Sequence, residues 1–150
     1  MTRQLARWLT GAAALVAVGC ARPAPRPIAY NEENCRHCHM TIADPRFAAE
    51  LVTSKGLVYA FDDVGCLAAF VREGKVPADQ VHSLWVSDYL QPDSLLDARH
   101  AVFLAVDTLP TPMGSHLLAL RPGAAADSLR ARLGGRLLEW SELPARGHDG

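Results

Sequence analysis

The order of short apolar segments along the chain constrains its fold more than any other feature of the sequence. Each half contains two segments with strand character, then a segment with helical composition, then another strand-like segment. They are residues 47–53, 57–61, 64–72 and 81–89 in the first half, and residues 101–106, 116–120, 124–133 and 136–140 in the second. The pattern predicts an α+β domain built from two similar strand–strand–helix–strand halves.

The first 19 residues have the pattern of a targeting segment. Arg3 and Arg7 precede an apolar run over residues 8–19, which is too short to span a bilayer as a permanent helix. The run ends in Ala17-Val18-Gly19-Cys20, which looks like the lipobox of bacterial lipoproteins, whose cysteine becomes the first mature residue and carries lipid. We therefore expect residues 1–19 to be a lipoprotein signal peptide. We expect Cys20 to be the lipid attachment site that anchors the protein to the membrane, on the periplasmic face of the bacterial cell envelope.

The rest of the chain divides into a spacer, one domain and a short tail. Pro23, Pro25 and Pro27 predict an extended tether over residues 20–29. Residues 30–145 are enough for one domain with its own core, and residues 146–150 form a C-terminal tail. The net charge of −1, without a dense cluster of Lys and Arg, argues against a nucleic-acid partner.

The segment from Asn34 to Met40 carries the densest group of metal-binding side chains. Two residues separate Cys35 from Cys38, so that a tight loop can turn both sulfurs towards one ion, and the thioether of Met40 can join them. Sulfur ligands of this softness select Cu(I). Met113, between Pro112 and Gly114, is either a further thioether ligand held by a stiff loop or a methionine that fills a gap in the core.

Other kinds of site remain open at this cluster. Cys35, Cys38 and His39 match the C-x-x-C-H pattern of covalent haem attachment, which would make the protein an electron-transfer cytochrome. A structural zinc ion could be held by Cys35, Cys38 and Cys66 with His37 or His39, giving a zinc-stapled binding domain. A redox-active pair is disfavoured because no convincing helix follows the cysteines.

Three residues near the start of the first predicted helix have a structural and a chemical interpretation. Asp62 and Asp63 are either general acid and base groups, ligands of a hard metal ion, or helix caps. Capping is favoured because carboxylates at a helix start accept hydrogen bonds from free amides and meet the positive end of the dipole. Cys66, one turn into the helix, is either a small buried residue or an additional metal ligand. Once Cys20 is set aside, three cysteines remain, and an odd number does not form a closed set of disulfides.

Several motifs, taken in order, resemble those of the NosL family, the nitrous-oxide reductase accessory lipoproteins. The motifs are Cys35-Arg36-His37-Cys38-His39-Met40, Asp44, Arg46-Phe47-Ala48-Ala49-Glu50, Phe61-Asp62-Asp63-Val64-Gly65-Cys66, Trp85-Val86-Ser87-Asp88-Tyr89, Pro112-Met113-Gly114, and Gly134-Gly135 with Leu138. The resemblance covers essentially the whole mature domain. Cys-x-x-Cys-x-Met and Pro-Met-Gly are its most specific parts.

The resemblance implies a fold, a cofactor and a partner. It implies a two-half α+β fold related to that of organomercurial lyases, and a Cu(I)-binding metallochaperone rather than an enzyme, with nitrous-oxide reductase as the client copper protein. It further implies that Cys35, Cys38, Met40 and Met113 form the copper neighbourhood. This chain departs from the family pattern at His39, where glycine is frequent in the family. That histidine either completes the haem-like pattern by coincidence or adds a nitrogen ligand.

Overall fold

A computed structural model describes residues 22–143 of the chain. The predicted signal peptide, the predicted lipid attachment site Cys20 and the tail at residues 146–150 lie outside the described residues. Within residues 22–143, no helix is both long enough and apolar enough to cross a membrane.

The described residues form two antiparallel sheets and two α-helices, with two short 3-10 helices between elements and at the end. In chain order the elements are β1 Ala49–Thr53, β2 Val58–Phe61, α1 Val64–Arg72, β3 Val81–Asp88, β4 Gln91–Asp97, β5 Val102–Ala105, β6 Leu117–Leu120, α2 Ala124–Leu133 and β7 Arg136–Glu139. The first sheet has the order β2–β1–β3–β4 and the second has the order β6–β5–β7. The predicted α+β class is confirmed, and β2–β1–β3 with α1 has the same order and pairing as β6–β5–β7 with α2.

Strand β4 is the element that the sequence did not predict. It pairs with β3 at the edge of the first sheet and contains Pro92. Proline and aspartate are rare inside sheets, so the segment lacks a strand pattern, but an edge strand tolerates a proline because one side of its backbone needs no partner. A tight turn joins the two strands, in which Asp88 Oδ1 accepts a hydrogen bond from the Leu90 amide at 3.1 Å.

Helix α1 and the two sheets enclose the main core. Phe70 of α1 packs on Phe61 of β2, with 5.2 Å between ring centroids, and Phe103 of β5 belongs to the same buried cluster. The Tyr89 amide donates to the Ala119 carbonyl at 2.9 Å and so links the end of β3 to β6. The two halves therefore share a core, and the start of α1 lies where they meet.

The part of the predicted tether nearest the domain packs against it. Ile28 and Tyr30 contact the main core, and the Arg26 guanidinium forms an ion pair with Glu33. Residues 25–30 are therefore part of the folded unit, and we call them the strap.

Candidate metal centre

The loop that carries Cys35 and Cys38 is closed by its own backbone. The Cys35 amide donates to the Met40 carbonyl at 2.8 Å, and the His39 amide donates to the Cys35 carbonyl at 3.0 Å. The Arg36 amide donates to the Ala60 carbonyl at 2.8 Å, which fixes the loop to the end of β2. The chain reverses at His39, whose φ of 64° lies in the left-handed region.

The second part of the centre is the junction of β2 and α1. Asp63 is the N-cap of α1, and its Oδ1 accepts a hydrogen bond from the Gly65 amide at 2.6 Å. Cys66 lies in the first turn of that helix. Because β2 ends at Phe61 and the helix begins at Val64, both Asp62 and Cys66 sit beside the loop that β2 holds.

The two parts bring four potential ligands together. The Sγ atoms of Cys35, Cys38 and Cys66 and a carboxylate oxygen of Asp62 all lie within 4.8 Å of one another. Cys35 and Cys66 are each 1% exposed and Asp62 is 3% exposed, whereas Cys38 is partly accessible. The group is therefore a mostly buried, sulfur-rich site that opens to the surface at Cys38.

The thiols influence one another's ionisation. A hydrogen bond from the Cys66 thiol lowers the pKa of Cys35 to about 6, although burial opposes the shift. Burial raises the pKa of Cys38 to about 12. The hydrogen bond to Cys35 and then burial raise the pKa of Cys66. The arrangement thus favours the thiolate form at Cys35, and a metal ion that bound all three sulfurs would displace the protons of Cys38 and Cys66.

Asp62 has a different position from the one that the sequence suggested. The predicted capping role applies to Asp63, whereas the Asp62 side chain turns towards the loop and its Oδ1 accepts a hydrogen bond from Cys38 Sγ at 3.4 Å. The two carboxylates are adjacent in the chain but lie in different environments, since Asp62 follows the strand and Asp63 caps the helix. The adjacent acids were visible in the sequence, but which of them would face the cysteines depended on where β2 ends.

The two methionines are attached near this group through their backbones. Met40 is 60% exposed and Met113 is 37% exposed. The Met40 carbonyl accepts a hydrogen bond from the Cys35 amide, and the Met113 amide donates one to Asp63 Oδ2 at 3.2 Å. Both thioethers are thus attached beside the cluster and remain open to solvent. The exposure of Met113 does not fit a gap-filling core residue.

The histidines lie outside the four-residue group. His37 Nε2 lies 3.1 Å from Glu73 Oε1, and His39 with His37 lines a neighbouring pocket that also contains Arg36 and Tyr59. The predicted zinc set of three cysteines with a histidine is thus replaced by three cysteines with an aspartate. A haem attached to Cys35 would require its sulfur to leave the core, where it contacts Cys66.

Fold and site together define a class: a two-half α+β domain with a sulfur-rich site where the halves meet. A sequence model of the NosL family matches residues 27–147, and the chain belongs to the NosL family. No curated protein gives a significant match.

A solved structure has the same fold. The crystal structure of the copper chaperone NosL from Shewanella denitrificans superimposes with a TM-score of 0.69 at 21% sequence identity. The match covers 81% of this chain and 96% of that one. It confirms the fold predicted from the family resemblance.

Proposed function

We propose that the protein is a Cu(I) metallochaperone whose metal centre is formed by Cys35, Cys38 and Cys66. The observation that carries the proposal is the convergence of three thiol sulfurs within 4.8 Å. Thiolates are soft ligands and favour Cu(I) over harder ions. Membership of the NosL family and the likeness to a solved copper chaperone support the same metal.

The position of the site suits transfer of a metal rather than permanent storage. Cys38 is partly accessible, and the thioethers of Met40 and Met113 are exposed beside it. We infer that Cu(I) enters and leaves at this side by ligand exchange, with the thioethers as transient ligands. Replacing Met113 with leucine, which keeps its size, should then slow transfer. A variant that transfers copper at the wild-type rate would exclude Met113 as a transient ligand.

The proposals for the client protein and the location rest on the family and on the N-terminal sequence. We propose that the protein is anchored through Cys20 on the extracytoplasmic side of the membrane and supplies copper to a copper enzyme, with nitrous-oxide reductase as the first candidate. A direct test is anaerobic transfer from the Cu(I)-loaded protein to copper-free nitrous-oxide reductase, with a chelator present to capture free Cu(I). Activation should be lost in the double variant Cys35→Ser, Cys38→Ser. Equal activation by Cu(I) without the protein would contradict delivery.

One observation favours a second candidate, a zinc site. Asp62 adds a buried carboxylate to the three thiols, and a tetrahedral set of cysteines with one harder ligand suits Zn(II). Such an ion would staple the 34–41 loop to α1. Zinc retained against excess Cu(I) would favour this role over copper transfer.

A further inference from the structure

A glutamate is buried in the first sheet without an ion-pair partner. Glu50 of β1 is 0% exposed, and neither of its carboxylate oxygens has a hydrogen bond of normal geometry. Burial raises the pKa of Glu50 to about 7, although the backbone amide of Arg26 and then its positive charge oppose the shift. An ionised carboxylate in this position is destabilised because it loses its hydration and gains few compensating interactions.

Glu50 points away from α1. Ala49 pairs with Phe61, whose ring packs on Phe70 of α1, and side chains alternate along a strand, so Glu50 lies on the opposite face of β1. Ser87 of β3 lies on the Glu50 face, where its buried hydroxyl group is approached by the Tyr30 hydroxyl of the strap. Two buried polar side chains thus share the outer face of the sheet.

The strap covers this face. Residues 25–28 and Tyr30 surround a pocket of about 390 Å³ together with Glu50, and Pro45, Pro92, Asp93 and Leu95 form the rest of its wall. Apart from Pro45, the strap is the part of this wall that belongs to no sheet. Water therefore reaches Glu50 with the least disruption if the strap lifts.

The charges around Glu50 do not neutralise it. The Arg26 guanidinium is paired with Glu33, with 2.9 Å between Nη1 and Oε2, and the Arg46 guanidinium is paired with Asp44 at 2.6 Å. Asp93 of β4 and the Tyr30 hydroxyl also face the pocket, and neither is a cation. Arg26 thus attracts Glu50 weakly through its backbone amide and its charge, while its guanidinium is bound to Glu33.

We propose that residues 25–30 are a pH-sensitive strap, which is closed over protonated Glu50 and loosens when Glu50 ionises. The direction of this pH dependence follows from the linkage between proton binding and closure. The closed state binds the proton more tightly than an open, hydrated state, so protonation favours closure and closure weakens as pH rises towards and through about 7.

Opening of the strap would change how far the domain can lie from the membrane. The strap begins five residues after Cys20. If Cys20 carries lipid, as proposed above, opening adds six residues to the free chain, or roughly 20 Å at full extension. The pH outside the cytoplasm would then alter how far the metal centre can move from the membrane. The strap itself depends on neither lipid nor copper.

Amide hydrogen exchange of the full-length protein, without metal, tests the strap. The amides of residues 29–33 are suitable probes because their hydrogen bonds hold the strap and the turn that follows it. After correction for intrinsic exchange rates, we expect their protection to fall about tenfold from pH 6 to pH 8. Glu50→Gln should abolish this fall. The matched control Glu32→Gln, at an exposed position just after the strap, should retain it.

The same fall in the Glu50→Gln variant, or constant protection in the wild type, would overturn the proposal. A second measurement needs no variant: a ¹³C NMR titration of the Glu50 carboxyl group should give a midpoint near 7. A midpoint below 5 would equally overturn it. Because neither measurement uses copper, failure of the strap is distinguishable from failure of the copper site.

Discussion

Whether one loop or two elements would form the metal centre depends on whether Cys66 binds the ion. Cys35 and Cys38 alone would bind an ion within one loop, whereas Cys66 ties that loop to α1. A helical cysteine among apolar neighbours has the pattern of a core residue, and its proximity to Cys35 and Cys38 becomes visible only when the loop is placed beside the helix. Sequence could name it as an option but could not choose, because the choice depends on contacts between distant segments.

Replacing Cys66 with alanine should lower Cu(I) affinity by about tenfold or more, since one soft ligand is lost. Competition with a chromophoric Cu(I) chelator measures this. Val64→Ala is a matched control, because Val64 is buried in the same helix but offers no ligand. An equal affinity in the Cys66 variant and the wild type would exclude Cys66 from the site.

His39 occupies a backbone position that suits glycine. Its φ is 64°, in the left-handed region, which strains a residue with a Cβ atom and which glycine adopts without strain. His39→Gly should stabilise the fold by about 1 kcal/mol in urea unfolding and leave Cu(I) affinity unchanged, since the ring lies outside the cluster. Asn31→Gly is the control: its φ is 66°, but asparagine tolerates this region, so the gain should be smaller. A marked loss of copper affinity in His39→Gly would place the imidazole in the site.

At the scale of elements, Asp63 joins α1 to the Met113 loop. Its two carboxylate oxygens accept hydrogen bonds from different segments, Gly65 at 2.6 Å and Met113 at 3.2 Å. Ser115 approaches the same turn so closely that a Cβ on Gly65 would lie 2.5 Å from the Ser115 Cβ. The start of α1 is thus fixed by contacts on both sides, which keeps Asp62 and Cys66 in place.

Asp63→Ala should reduce the free energy of unfolding by about 2–3 kcal/mol, because it removes a helix cap and leaves a buried amide unpaired. Asp127→Ala is the comparison, since Asp127 lies in the first turn of α2 without capping it. That change should cost only a few tenths of a kcal/mol. Similar losses in the two variants, measured by urea unfolding, would contradict the bridging role of Asp63.

The elements were largely predictable because their boundaries carry strong local signals. Asp63 begins α1 and Gly74 follows its end, and the apolar strands between turn residues were identified to within about two residues. Strand β4 was missed because its residues gain a partner only through β3. The packing of the strap was also hidden, since a proline-rich segment has the composition of a free spacer.

At the scale of the whole molecule, metal uptake should be coupled to proton release. The pKa of Cys38 is raised to about 12 and that of Cys66 is also raised. Both thiols are therefore protonated at neutral pH when no metal is bound. Metal binding displaces these protons, and affinity therefore rises with pH. Each displaced proton should raise Cu(I) affinity about tenfold per pH unit between pH 6.5 and 8.

Below the pKa of Cys35, which is about 6, a third proton competes and the dependence should steepen. Chelator competition across this pH range, with a chelator whose own protonation is known, gives the slope. Affinity that does not change with pH would mean that the metal displaces no thiol protons, and would favour the thioethers as the main ligands.

The most direct test of the account is an anaerobic Cu(I) titration of the purified protein against a coloured chelator. Metal content and visible absorbance are read on the same sample. We predict tight uptake of Cu(I) in a one-to-one ratio, without a haem band, and loss of that uptake when Cys35 and Cys38 are both replaced by serine. Firmly bound zinc that Cu(I) does not displace, or a haem band in protein exported through a haem-attaching periplasm, would contradict the copper site.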